Sequence, residues 1–255
     1  MKLVRTVAAA VAATALTLSV SPAFSADAAQ VTAAQVAGNT PVGTVKNWNA
    51  HPAPTAVTTG KTAKWVSKVD HKNVWAFWVS SPSMGRDIPV AVIPARNAQG
   101  NLVANAPTIY LLNGAGGAEQ DSDWLTYAKT AEFYKDKGVN VVIPMEGAFS
   151  YYVDWLTDGE TLKQKSDYFK GAQKWSTFLG EELPPAVEHE LGANDRRGIL
   201  GFSMSGTSSL LLAEHFPGQY AAVGSFSGCA ATSTPLPWAF AALTVNRAAK
   251  QPNYS

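Results

Sequence analysis

The chain has 255 residues, of which 46% are hydrophobic, 10% aromatic and 15% charged, with a formal net charge of +1. This length and apolar content can bury a core of ordinary globular size. The sequence has no basic patch, charged block or basic amphipathic segment, which argues against nucleic acid and membrane surfaces as partners.

The first 25 residues are predicted to be a secretory signal peptide. Lys2 and Arg5 precede an apolar run over residues 7–20, and Ala23-Phe24-Ser25 offers small residues at a cleavage position. The apolar run is too short to cross a bilayer comfortably, so no transmembrane segment is expected. We therefore expect a secreted protein.

The next segment, residues 26–61, is rich in Ala, Thr, Val and Pro and has almost no charge. This composition predicts a poorly ordered leader. An extra edge strand within residues 35–46 is the alternative.

From residue 62 to residue 255, apolar runs alternate with helical segments, which predicts a doubly wound, mostly parallel α/β sheet. Near-continuous apolar runs are typical of parallel strands that are covered on both faces. The predicted strands are residues 63–69, 74–80, 88–94, 108–112, 139–144, 199–202 and 222–227, with a turn at 70–73. The predicted helices are residues 123–137, 175–191, 207–215 and 238–250.

A nucleophile motif follows the predicted strand at 199–202. Gly201-Phe202-Ser203-Met204-Ser205 lies between that strand and a helix, the context in which an α/β-hydrolase presents its serine on a sharp turn. Ser203 is the candidate nucleophile. Ser205, the alternative, is better explained as a residue at the helix N-terminus.

An oxyanion loop is predicted near the middle of the chain. Leu111-Leu112-Asn113-Gly114-Ala115-Gly116-Gly117 is an apolar strand that runs into a glycine-rich turn. In this fold, one backbone N–H comes from such a loop and the other from the residue after the nucleophile, here Met204.

No histidine is well placed to act as the general base. His215 lies twelve residues beyond Ser203 on the same predicted helix, roughly 18 Å away. His189 precedes the elbow strand, while His51 and His71 fall in the leader and in a turn. The sequence has no phosphate-binding, dinucleotide or metal-ligand motif, so no cofactor or metal is expected. The single cysteine, Cys229, is interpreted as a small apolar residue.

Five segments, in chain order, resemble the antigen 85 mycolyltransferases, an α/β-hydrolase esterase family of mycolate-bearing actinobacteria. They are Ser81-Pro82-Ser83-Met84-Gly85-Arg86-Asp87-Ile88, Tyr110-Leu111-Leu112-Asn113-Gly114, Ser150-Tyr151-Tyr152-Val153-Asp154-Trp155, Trp175-Ser176-Thr177-Phe178-Leu179 and Gly201-Phe202-Ser203-Met204-Ser205. The resemblance extends over residues 63–227.

This resemblance implies acyl transfer through an acyl-Ser203 intermediate, with the N–H groups of Ala115 and Met204 in the oxyanion hole. It implies trehalose monomycolate as donor, a second trehalose mycolate or a cell-wall glycolipid as acceptor, and a location in the cell wall or envelope. It places Asn113, Gly114 and Gly116 at the substrate, although the mycobacterial members carry Asp and a sugar-contacting Arg at positions 113 and 116.

The family's catalytic Glu and His lie on later strands that this sequence does not contain. We therefore expect a C-terminally shortened domain that lacks the last strands, is inactive alone and has an open sheet edge at residues 222–227, where association is favoured. Two other functions stay open: a secreted carboxylesterase, or a noncatalytic protein that binds cell-wall lipid or sugar. The oligomeric state is not predicted.

Overall fold

The structure is a computed structural model that describes residues 43–47, 63–119, 123–156, 166–169 and 171–248. These residues all belong to one compact unit. The predicted signal peptide and most of the predicted leader therefore lie outside the described residues.

A mixed sheet of seven strands runs through the described part of the chain, in the spatial order β1-β2-β3-β5-β4-β6-β7. The pairs that join β1, β2, β3 and β5 are antiparallel, and those that join β5, β4, β6 and β7 are parallel. In chain order the strands are β1 Val45–Asn47, β2 Trp75–Ser81, β3 Arg86–Ile93, β4 Thr108–Leu112, β5 Asn140–Pro144, β6 Arg197–Phe202 and β7 Ala222–Phe226. The expected α/β sheet is confirmed.

The central strands are buried on both faces. All five residues of β5 are buried, and alternate residues point to opposite sides of the sheet. Tyr110, Leu112 and Val142 join one apolar cluster. Leu111 and Ile143 join the other. This two-sided burial explains why these strands are unbroken apolar runs in the sequence, the pattern from which they were predicted.

Helices cover both faces: α1 Lys64–Lys68, α2 Thr130–Tyr134, α3 Trp175–Thr177, α4 Leu183–Leu191, α5 Met204–His215 and α6 Pro235–Asn246. A π-helical turn, Phe178–Glu182, joins α3 to α4, so the predicted helix at 175–191 is continuous. Its Leu183 N–H reaches the carbonyl of Phe178, five residues earlier. The turn widens here because Pro184 and Pro185 have no N–H to continue the α-helical pattern.

The strand predicted at residues 63–69 is wrong, because this segment is helix α1. Trp65 and Val66 are adjacent and both buried, whereas Lys64, Ser67 and Lys68 are exposed. A strand would alternate its buried and exposed residues, and a helix does not.

The long helix predicted at residues 123–137 is also wrong in extent, since only Thr130–Tyr134 are helical. The Asp123 carboxylate accepts hydrogen bonds from the N–H and the hydroxyl of Thr126, which fold the chain into a turn. Lys129 then adopts a left-handed conformation with φ of 51°. The helix begins only after this residue.

The edge strands of the described sheet are β1 and β7. The first was predicted to be part of a poorly ordered leader. β1 lies inside the range predicted as leader and pairs with β2, as the alternative allowed. At the other edge, β7 has four exposed residues out of five, and Phe226 is 54% exposed. Helix α6 has no buried residue.

A nearly buried ion pair fixes α4 against the start of β6. Arg197 donates two hydrogen bonds to the Glu188 carboxylate, at 2.6 and 2.7 Å, and the Tyr110 hydroxyl donates a third at 2.9 Å. Burial lowers the pKa of Arg197, but the hydrogen bonds and charge of Glu188 outweigh it and hold that pKa above its usual value. Burial, and then the charge of Glu188, raise the pKa of Tyr110.

We expect Arg197→Met to lower the free energy of unfolding by about 3 kcal/mol, because Glu188 would keep its charge without its cation. Urea denaturation measures this loss. The control is Arg196→Met, since Arg196 is exposed and adjacent. Equal stabilities for the two variants would show that the pair does not hold α4 in place.

Candidate active site

Ser203 is the exposed residue of a strained turn between β6 and α5. Its φ of 56° and ψ of −121° lie outside the region that residues with a side chain ordinarily adopt. Its backbone N–H donates to the carbonyl of Phe226 on β7, at 2.8 Å. Strain of this kind is kept where it presents a reactive group. The turn therefore has the conformation that the sequence motif predicted.

Close backbone contacts explain the glycines that flank the turn. A Cβ added to Gly201 would lie 1.9 Å from the carbonyl oxygen of Ser205. A Cβ added to Gly206 would lie 2.8 Å from the carbonyl oxygen of Phe226. Both distances are impossible contacts, so only glycine fits. The close backbone contact therefore requires glycine at position 206, whereas position 205 can carry a serine.

Ser205 is a positioning residue and not an alternative nucleophile. Its side chain is fully buried. Its hydroxyl donates to the carbonyl of Leu112 at 2.7 Å and accepts from the N–H of Phe202 at 3.0 Å. These two bonds connect the turn at Ser203 to the end of β4, where the glycine-rich loop begins. The sequence had predicted only that Ser205 lies at the helix N-terminus, which is where the structure has it.

The glycine-rich loop after β4 lies directly against the turn. A Cβ on Gly114 would lie 2.7 Å from the ring of Phe202, so the loop needs glycine to approach this closely. The carbonyl of Ala115 accepts a hydrogen bond from Phe149 N–H at 2.7 Å. Within the described residues, the N–H groups of Ala115 and Met204 have no hydrogen-bond acceptor. Both amides are available for a developing negative charge.

Asn113 has a supporting place in this arrangement. It is fully buried, its Nδ2 donates to the Pro144 carbonyl at 3.1 Å, and its Oδ1 accepts from Trp124 N–H at 3.1 Å. These two hydrogen bonds give Asn113 a role in positioning the loop, and its place at the substrate stays a prediction. Gly114 is buried as well, while Gly116 is partly exposed.

A third segment, which sequence reasoning did not single out for catalysis, supports the start of α5. Tyr151 N–H donates to the Met204 sulfur at 3.4 Å, and the Ser208 hydroxyl donates to the Tyr151 carbonyl at 2.6 Å. Burial raises the pKa of Tyr151, although a hydrogen bond with Thr244 lowers it. Among the described residues, seven non-glycine residues have positive φ, and four of them belong to these segments: Phe149, Tyr151, Tyr152 and Ser203. The site is the most strained part of the described backbone.

Comparison with known proteins assigns the chain to a family. The sequence model of a family described as "Putative esterase" matches residues 81–254, which is more than half of the chain. The chain belongs to this esterase family.

Relatives of the chain include two mycobacterial proteins. The chain is 36% identical over 151 residues to the diacylglycerol acyltransferase/mycolyltransferase Ag85A of Mycobacterium leprae, covering 59% of this chain and 42% of that one. It is 33% identical over 150 residues to Ag85B of Mycobacterium intracellulare, covering 58% and 42%. The chain thus spans about two-fifths of the length of these relatives.

Among solved structures, MPT51 of Mycobacterium tuberculosis matches with a TM-score of 0.52 and 30% sequence identity, over 65% of this chain and 55% of that one. Together with the strand order, this match shows the α/β-hydrolase fold. The predicted resemblance to the mycolyltransferases is confirmed.

Several of the segments that resemble mycolyltransferases have structural roles in this chain. The Glu182 carboxylate accepts hydrogen bonds from Ser81 Oγ at 2.6 Å and Ser83 N–H at 2.7 Å. Arg86 pairs with Glu146 and lies 5.5 Å from the centre of a Trp175 ring. The Asp154 carboxylate accepts from the Thr177 N–H and hydroxyl, which fixes α3. These residues hold the scaffold around the turn.

The described histidines lie away from Ser203. His71 contacts the Val66 carbonyl at 2.9 Å, and His215 lies at the far end of α5, against the Phe216 ring. His189 is in α4, whose C-cap is Gly192. The carbonyl of Gly192 accepts a hydrogen bond from the N–H of Asn105, which precedes β4. That is the opposite end of the sheet from the turn. His51 lies outside the described residues.

Among the described residues, none makes a hydrogen bond with Ser203 Oγ. In the same part of the chain, no group of three or more His, Cys, Asp or Glu side chains could hold a metal ion. No helix of that part is both long and apolar enough to cross a bilayer.

Proposed function

We propose that the chain carries the nucleophile and oxyanion hole of a secreted serine acyltransferase of the cell envelope. The enzyme moves mycolyl groups between trehalose esters and cell-wall acceptors through an acyl-Ser203 intermediate. Exposure of Ser203 on a strained turn, beside a buried Ser205, is the observation that carries this proposal. The names of the mycobacterial relatives, diacylglycerol acyltransferase/mycolyltransferases, support the choice of acyl-transfer chemistry.

The reaction has two steps. Ser203 Oγ attacks the ester carbonyl carbon and gives its proton to a general base, while the N–H groups of Ala115 and Met204 bind the oxyanion. The bond to the sugar oxygen then breaks, and the departing sugar takes up the proton. In the second step, an acceptor hydroxyl attacks the acyl-serine by the same route in reverse. No described residue is placed to act as the general base, for which the family uses His with Glu.

We expect a polypeptide of these 255 residues to hydrolyse p-nitrophenyl butyrate at a negligible rate. Loss of the histidine base alone costs on the order of 10⁶-fold in turnover in a serine hydrolase. Release of p-nitrophenol, with Ser203→Ala as the blank, measures the rate. Turnover typical of an esterase in the parent chain, absent in Ser203→Ala, would contradict this expectation.

Hydrolysis is the second candidate function, and the description of the matched family favours it. Water and a sugar hydroxyl compete for the same acyl-serine, so the acceptor decides between the two functions. We would form acyl-Ser203 from an activated ester, remove the excess reagent and add trehalose. A trehalose ester among the products supports the transferase, whereas free acid alone at every trehalose concentration supports the carboxylesterase.

A further inference from the structure

A second cleft, of about 440 Å³, lies between the end of α1 and the start of α2. This volume is within the range of small-molecule sites. Its floor is apolar: Val74 and Leu125 are only 1% and 4% exposed, and both belong to the apolar cluster that contains Leu111 and Ile143. Helix α5 inserts Leu212 into the cluster on the other face of the sheet, which contains Tyr110 and Val142. The cleft and α5 therefore lie on opposite faces of the sheet.

The rim of this cleft carries polar groups that the protein itself does not use. Tyr127 is 78% exposed. Within the described part of the chain, the side chains of Tyr127, Lys129 and Glu132 make no hydrogen bond to another residue. Asp70 differs, because its carboxylate accepts from Lys72 N–H and Asn73 Nδ2 in its own turn. The cleft thus combines a donor, Lys129, and an acceptor, Glu132, whose side chains bond to no other described residue, with the exposed aromatic ring of Tyr127.

We propose that this cleft binds a neutral saccharide. Two carboxylates, Asp70 and Glu132, and two ammonium groups, Lys68 and Lys129, line the cleft, so its formal charges balance and favour neither an anion nor a cation. An ammonium only donates hydrogen bonds and a carboxylate only accepts them, whereas a sugar hydroxyl does both. The apolar C–H face of a pyranose ring fits against Tyr127 and the Val74 floor. A polyhydroxyl ring with an apolar face can use both the balanced charges of the rim and the apolar floor.

The saccharide cleft is separate from the turn at Ser203. Trp124 stands between them: its ring contacts Phe202 edge-on, with centroids 5.3 Å apart, and its Nε1 donates to the Leu112 carbonyl at 2.7 Å. A ligand in the cleft leaves Ser203 uncovered. The proposal therefore does not depend on the acyl-transfer chemistry, and a wall glycan bound there would hold the protein beside its polymer.

Saturation-transfer NMR of the full 255-residue chain with maltose and cellobiose tests the proposal. We expect transfer to both sugars, and affinities about tenfold weaker in Tyr127→Ala and Glu132→Gln, which remove the aromatic face and the charged acceptor. Asp136→Asn and Lys135→Met are matched controls on the same segment that do not line the cleft, and both should bind as the parent does. Ser203→Ala should also bind normally, even if the proposed acyl transfer fails.

Three results would overturn the saccharide cleft. The first is no transfer at sugar concentrations up to about 50 mM, well above the millimolar range of weak sites. The second is an equal loss of binding in the Asp136→Asn control or in Ser203→Ala, which would place the sugar elsewhere. The third is displacement of maltose by inorganic phosphate, which would identify an anion site. Urea denaturation of Glu132→Gln, expected to match the parent, shows that any loss of binding is local.

Discussion

Ser203→Ala is expected to abolish covalent modification of the chain by an activated ester or phosphonate. Ser203 is the serine that the strained turn exposes between β6 and α5, and alanine leaves no oxygen to form the adduct. Intact-protein mass spectrometry followed by peptide mapping measures the adduct and its position. Ser233→Ala is the control, because Ser233 is also exposed but lies outside the turn. An adduct of equal yield in Ser203→Ala would remove Ser203 from the reaction.

The same assay can test whether acylation of Ser203 is slow because no described residue acts as its general base. No described residue deprotonates Ser203, so free imidazole in solution should accelerate acylation of the parent chain. Imidazole also attacks activated esters directly, and the rate in Ser203→Ala with imidazole measures that background. The difference between the two chains is the rescued rate. An identical imidazole dependence in both would show that the turn and the two amides give Ser203 no advantage.

Gly201→Ala is expected to be the most damaging single-methyl change in the site. The added Cβ would lie 1.9 Å from the Ser205 carbonyl oxygen, a backbone atom that cannot move without opening the first turn of α5. We expect a loss of about 4 kcal/mol or more in the free energy of unfolding, the range of severe core substitutions. Urea denaturation measures the stability, and the Ser203 adduct should disappear with it.

Gly198→Ala is the matched control on the same strand. Its Cβ would meet Ile109 at 3.6 Å and the Ala222 carbonyl at 3.7 Å, which are ordinary contacts. We expect a change within about 1 kcal/mol, of either sign. If the two alanine variants were equally stable and equally labelled, the tight approach of β6 to α5 at Gly201 would be wrong.

The fold could be predicted where sequence patterns have local causes. The strand at 108–112 was predicted at its observed limits because buried parallel strands require unbroken apolar runs. The turn at Ser203 was predicted because its glycine follows from a backbone contact between residues close in sequence. Both patterns lie within a few consecutive residues, so they could be predicted without knowledge of tertiary contacts.

Features that depend on distant contacts could not be predicted. Ser205 holds the Leu112 carbonyl 93 positions away, and Asn113 holds the Pro144 carbonyl, so neither role is visible in the local sequence. Helix α1 was mistaken for a strand because five residues are too few to separate the two periods. The helix predicted from residue 123 was shortened by side-chain hydrogen bonds at Asp123 that compete with helix formation.

A crystal structure of the chain with a phosphonate bound at Ser203, formed in the presence of imidazole, would show whether Ser203 faces the oxyanion hole. The phosphoryl oxygen stands in for the oxyanion of the acyl-transfer transition state. We expect this oxygen to lie about 2.7–3.1 Å from the backbone nitrogens of both Ala115 and Met204. An adduct on another side chain, or a phosphoryl oxygen pointing away from these two amides, would contradict it.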